Sequence, residues 1–189
     1  MYKIVPYQPA WRDEFLLIGR TLRQALGDLA LRIDHIGSTS VSGLAAKDII
    51  DIQVTVASLD PAIEQAFNRA GYTRLEPITQ DHLPPGSTGP ADDWVKWLFR
   101  PPGDQRLANV HVRLQGHANQ RYPLLFRDYL RAHPAAAQAY AQVKEALFKY
   151  HADDSDAYYA VKDPVCDIIA GGAEEWALRV RWTVGPADC

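Results

Sequence analysis

At 189 residues, 47% of them hydrophobic and 23% charged, the chain has the composition of one globular α/β unit spanning 1–189. No apolar run approaches the roughly 20 residues of a membrane helix, and a formal net charge of -3 excludes wholesale phosphate neutralisation, so neither membrane nor nucleic acid is an expected partner. The stretch from Met1 to Pro6 has no apolar segment long enough for an export signal, and Cys166 and Cys189 form neither a disulfide framework nor a Cys-x-x-Cys zinc pair, so a cytoplasmic protein with reduced thiols is expected.

From Trp11 the residues Phe15, Ile18, Leu22 and Leu26 recur at helical spacing and predict an amphipathic helix that Gly27 ends. Alternation then takes over. Leu31 and Ile33 fall on one side, Arg32 and Asp34 on the other, and the strand runs through His35-Ile36 into a turn at Gly37. Ile50, Ile52, Val54 and Val56 mark the buried face of the next strand, so Asp51, Gln53 and Thr55 share its opposite face. Asp60-Pro61 reads as an N-cap with proline at the first helical position, and Ile63 and Phe67 continue a short helix to Gly71.

The Pro, Gly, Ser and Asp of 76–93 predict a long loop resembling a flexible lid. A hairpin follows, with strands over 94–100 and 108–114 joined by Pro101-Pro102-Gly103-Asp104; Asn109, His111 and Arg113 lie on the face away from Val110 and Val112. Helices are expected over 124–132, over 134–150 with a stripe of Ala136, Tyr140, Val143 and Leu147, and from near Ser155 onward. Strands early and helices late give an α/β class of the α+β kind, with a helical C-terminal third.

A strand that stops at Gly37-Ser38-Thr39, with a further hydroxyl at Ser40, offers amides and hydroxyls small enough to approach an anion, and Lys47 adds a cation. Asp51 follows on the next strand, where a carboxylate can hold a divalent cation against phosphate oxygens. His35-Ile36-Gly37-Ser38-Thr39-Ser40-Val41-Ser42-Gly43-Leu44-Ala45-Ala46-Lys47, followed by Ile49-Ile50-Asp51-Ile52, resembles the signature of the GrpB family, which has the nucleotidyltransferase fold of the DNA polymerase β superfamily. Trp94-Val95-Lys96, Asn109-Val110-His111-Val112, Phe126-Arg127-Asp128-Tyr129 and Tyr159 to Lys162 continue the resemblance in order, nearly to Trp176.

The resemblance implies a mixed sheet flanked by helices, a nucleoside triphosphate as substrate, Mg2+ on Asp51 and a small-molecule acceptor. Gly37, Ser38 and Thr39 would grip phosphates. Lys47, Lys96, Arg127, Lys144 and Lys162 would balance the remaining charge, and His111 would orient or deprotonate the acceptor or act as a ligand. The sequence departs from the family pattern at Ser42 and Asp48, where proline is expected, and from the superfamily's pair of carboxylates at Gln53. With Gln53 neutral, three readings stay open: nucleotidyl transfer, a module that binds a nucleotide or phosphometabolite, and a fold reused for another small-molecule reaction.

Overall fold

A computed structural model describes residues 3–189, so Met1 and Tyr2, the start of the stretch read for an export signal, lie outside it. Helix α1 (Ala10–Leu26) follows the short strand β1 (Ile4–Val5) and buries Trp11, Phe15, Ile18, Leu22 and Leu26 along one stripe. Gly27, at φ 53°, ends it. Strands β2 (Arg32–Ile36), β3 (Ala46–Lys47) and β4 (Ile50–Val56) lead to helix α2 (Pro61–Arg69), where the Asp60 carboxylate accepts from the Ala62 amide at 2.7 Å. Strands β5 (Thr73–Arg74), β6 (Lys96–Arg100) and β7 (Ala108–Leu114) precede helices α3 (Ala118–Ala132), α4 (Pro134–Tyr150) and α5 (Ser155–Val180).

Five strands form a mixed sheet in the order β2-β4-β7-β6-β5, in which only β4 and β7 run parallel. On one face Ile50, Ile52, Val54 and Val56 are fully buried with Val110, Val112 and Phe99 against α1 and α2. Each such side chain contributes roughly 1.5–3 kcal/mol, which is what sets the register of the central strands. The other face is polar yet also largely covered, because α3 packs across β2 and β7. Parallel register places Asp51 beside Asn109, Gln53 beside His111 and Thr55 beside Arg113. Antiparallel pairing on the far side of β7 sets Leu98 beside His111 and Lys96 beside Arg113.

Three expectations are corrected. Leu31 precedes the strand and is 46% exposed, outside the face it was expected to share with Ile33. Helix α3 begins at Ala118 and runs through Pro123, because burial of Asn119, Gln120, Leu124 and Leu125 outweighs the cost of an interior proline. The 76–93 loop is pinned, not free. The Asp81 amide donates to the Trp94 carbonyl at 2.9 Å, the Lys96 amide to the Thr79 carbonyl at 2.8 Å, and Gln80 bridges Val95, so 79–81 runs as a partial strand beside 94–96. Among the described residues, no helix is long and apolar enough to cross a membrane.

Candidate functional site

Strand β2 enters the turn at Gly37, whose φ of 69° and ψ of -173° lie in a region that glycine alone occupies readily. A Cβ there would stand 2.5 Å from the Asp51 Oδ2 atom, so the missing side chain is what lets the carboxylate lie against the turn. The turn holds itself by the Ser40 hydroxyl, which donates to the Gly37 carbonyl at 2.6 Å. Thr39 Oγ1 sits 3.0 Å from the His35 Nε2 atom and is buried, and the His35 ring stacks on Phe15. Ser38 therefore presents the one hydroxyl of the three that meets a helix: Lys144 Nζ on α4 reaches it at 2.8 Å.

A cleft of about 580 Å³ opens beside this turn. Gly37, Ser38, Thr39, Lys47, Asp51, Lys96, His111, Lys144 and Lys162 all line it, together with Arg100, Arg113 and Asn109. Tyr122, Phe126, Tyr140, Tyr158 and Tyr159 form an aromatic wall. Lys47 Nζ lies 4.1 Å from the centre of the Tyr158 ring, a cation–π contact that holds the ammonium over the wall. Burial, joined by the charge of Lys162, pushes the Lys47 ammonium below its usual value. Burial also lowers Lys96, against the pull of Asp81.

About 29% of the Asp51 side chain remains exposed. Burial raises its carboxyl, but the neighbouring His111 imidazole, then Asn109 and His35, outweigh this and hold it below the ordinary value, so it is ionised at neutral pH. Asn109 Nδ2 donates to Asp51 Oδ1 at 2.8 Å, and His111 Nε2 stands 3.9 Å from the same oxygen. On the other side of the imidazole, Lys96 Nζ and Arg113 Nη2 each lie 3.4 Å from Nδ1. Both of those are donors, so Nδ1 is the acceptor and Nε2 carries the proton toward Asp51. Burial and the Arg113 charge push His111 down to about 4, leaving it neutral. His111 thus enters the cleft as a neutral hydrogen-bond donor, with Nδ1 taken up by Lys96 and Arg113.

The expectation for Arg127 is corrected. Its guanidinium is absent from the cleft lining and points behind β2, where Nη1 donates to the Asp188 carboxylate at 2.7 Å and the His35 carbonyl at 3.0 Å, and Nε donates to Asp128 at 2.8 Å. Arg131 lies on that side too. It donates twice to the Ser40 carbonyl and borders a separate cavity of about 950 Å³ beyond the turn, with Ser42 in the wall. Asp48 faces away as well, accepting from Trp11 Nε1 at 2.7 Å and pairing with Arg106.

Asp81, which carried no sequence signal, and Arg113, which alternation places on the His111 face, complete the site. Asp81, from the long loop, accepts from Lys96 Nζ at 2.6 Å, from Arg113 Nε and Nη2 at 2.8 and 2.9 Å, and from Asn119 Nδ2 at 3.1 Å. Arg113 in turn donates through Nη1 to Gln53 Oε1 at 2.8 Å, while Gln53 Nε2 donates to the Gln120 carbonyl of α3 at 2.9 Å. Gln53 is fully buried by this network.

A two-metal centre does not fit this donor set. Among the described residues, Asp51 is the only carboxylate lining the cleft, against six lysine and arginine side chains. Among the described residues, no group of three or more His, Cys, Asp or Glu side chains gathers where it could hold a metal ion. Gln53→Glu restores a charge at the second position, but its new oxygen would face the Gln120 carbonyl. A loss of about 1–3 kcal/mol is expected, with no rise in melting temperature on adding magnesium. A magnesium-dependent rise of several degrees in that variant would contradict the locked role of Gln53.

The family model described as GrpB protein matches residues 2–171. The chain belongs to the GrpB family. It is 31% identical to the conserved protein GrpB from Enterococcus faecalis, whose crystal structure aligns with a TM-score of 0.71 over 92% of this chain and 99% of that one. It is also 41% identical over 194 residues to a dephospho-CoA kinase of Mycobacterium tuberculosis, and 37% identical over 161 residues to a UPF0157 protein of Streptomyces coelicolor. The first match takes in 95% of this chain and 48% of the kinase, and the second 84% and 77%. The chain therefore spans about half the length of the mycobacterial relative. Ser42 and Asp48 both fall outside the cleft lining, and Gln53 reaches it only through Arg113.

Proposed function

We propose that the cleft binds a phosphorylated small molecule of the nucleotide class, with its phosphates on Ser38 and the surrounding cations and its organic part against the tyrosine wall. The observation that supports this reading is charge convergence. Lys47 from β3, Lys96 from β6, Lys144 from α4 and Lys162 from α5 line one cleft with Asp51 as its only carboxylate among the described residues. Cations drawn from four separate elements are not the by-product of a single solvated helix face, and a concentrated positive lining selects for anions. The mycobacterial relatives are named for dephospho-CoA, which carries a nucleotide, and this agrees with the ligand class.

Calorimetric titration with ATP in EDTA tests the reading. Saturable binding is expected without any divalent ion. Lys47→Gln should weaken it about tenfold, the loss of roughly one charge-assisted contact. No saturable binding of ATP, ADP or pyrophosphate at millimolar concentration would overturn it. Nucleotidyl transfer is the second reading, favoured by the contact of Asp51 with the Gly37 turn. It requires magnesium-dependent release of pyrophosphate in the presence of an acceptor, abolished in Asp51→Asn with the fold intact.

A further inference from the structure

Ser38 and Lys144 stand apart from the other polar groups of the cleft. The neighbouring hydroxyls are committed, Thr39 to His35 and Ser40 to the Gly37 carbonyl. Lys96 and Lys162 are paired with Asp81 and Asp163. Lys144 is 3% exposed; its Nζ lies 4.6 Å from the centre of the Tyr140 ring, and its hydrogen-bond partners are the Ser38 hydroxyl at 2.8 Å and the Ala45 carbonyl at 2.5 Å. A carbonyl only accepts, so one N–H of the amine is committed to Ala45. As an ammonium it donates to Ser38 Oγ, and on losing a proton it gains a lone pair that can accept from that hydroxyl instead. With no carboxylate bonded to it, burial favours the neutral form and pushes Lys144 down to about 7.

We propose that Ser38 and Lys144 form a serine–lysine nucleophile pair acting on an acyl group carried by an anionic leaving group such as phosphate. Ser38 Oγ bonds to the carbonyl carbon, the bond from that carbon to the leaving oxygen breaks, and the hydroxyl proton passes to Lys144 Nζ and on to the departing phosphate. Water then cleaves the serine ester, regenerating the hydroxyl, releasing a carboxylate and giving its surplus proton through Lys144 to solvent. The cationic lining receives the leaving anion. This reaction goes beyond ligand binding and needs neither a nucleotide nor a metal.

A fluorophosphonate is the probe, since it forms an Oγ–P bond and expels fluoride without any recognition of a nucleotide. Peptide mapping by mass spectrometry should place the adduct on Ser38, with a labelling rate that climbs as pH rises through about 7 and Lys144 loses its proton. Lys144→Arg keeps the charge but removes the base, and should slow labelling roughly 100-fold, the lower end of general-base assistance. Lys144→Met should do the same, and Ser38→Ala should carry no adduct at this position. Absence of an adduct at Ser38 in the unmodified chain, a rate flat between pH 6 and 9, or an unchanged rate in a folded Lys144→Arg would each overturn the pair. These outcomes do not depend on whether ATP binds.

Discussion

Gly37→Ala is expected to destabilise the fold by about 4 kcal/mol, lowering the melting temperature by roughly 12 °C, and to abolish ligand binding. Two costs combine. The backbone at φ 69° and ψ -173° is one that an L side chain adopts only under strain, about 1–3 kcal/mol. The added Cβ would also stand 2.5 Å from Asp51 Oδ2 and 2.9 Å from Asp51 Cβ, so rotating the carboxylate away cannot clear it. Either the turn or β4 must shift. The two costs separate in a double-mutant cycle with Asp51→Ala, whose shortened side chain loses the carboxylate but keeps its Cβ. Relief of the carboxylate clash should make the double variant more stable than the sum of the single ones by about 1 kcal/mol or more. Additivity within about 0.5 kcal/mol would mean that turn and carboxylate are not in contact, and the geometry of the cleft would have to be rebuilt.

Much of the scaffold was legible because its signals are local. Alternation along 50–56 and 108–114 marked the two central strands, Pro134 marked the start of α4, and the Gly37 turn and Asp51 stood out because glycine and a lone acid break otherwise apolar patterns. The failures have a common cause. Helical periodicity groups Arg127 with Arg131 on one face, but it cannot tell which way that face looks, and the face turned behind β2. Period two put Asp51, Gln53 and Thr55 together without revealing that Gln53 and Thr55 would be fully buried. Two-residue strands such as β1 and β3 are too short for any periodicity. Asp81 sat in a loop rich in turn-forming residues, with nothing nearby to distinguish it from a solvated acid. Its role exists only through Lys96, Arg113 and Asn119, which lie 15, 32 and 38 residues away.

That distant pairing makes Asp81→Ala the other large effect. The Asp81 side chain is 17% exposed and neutralises Arg113 and Lys96, which are 6% and 9% exposed. Removing it strands two buried cations, and breaking a buried pair from one side typically costs 3–5 kcal/mol. The damage should spread, because Arg113 also holds Gln53, and Gln53 holds the Gln120 carbonyl at the start of α3. Thermal melts should show a loss of ~10 °C or more. Asp81→Asn supplies the pH test. Burial raises the Asp81 carboxyl, but Arg113 and then Lys96 outweigh it and hold it far below its ordinary 3.8. A carboxyl depressed on folding stabilises fully above its unfolded value, and that contribution fades as pH falls through the unfolded value toward the folded one. The stability gap between the unmodified chain and Asp81→Asn should therefore stay constant from pH 7 to pH 5 and narrow below about 4. A gap that widened in acid would mean that Asp81 is not the counter-charge of Arg113 and Lys96. In the Asp81→Ala variant the two stranded cations border the cleft proposed to take a nucleotide, so ATP should raise its melting temperature more than it raises that of the unmodified chain. An equal rise in both would separate the Asp81 cluster from ligand binding and leave it a purely structural anchor of the 76–93 loop.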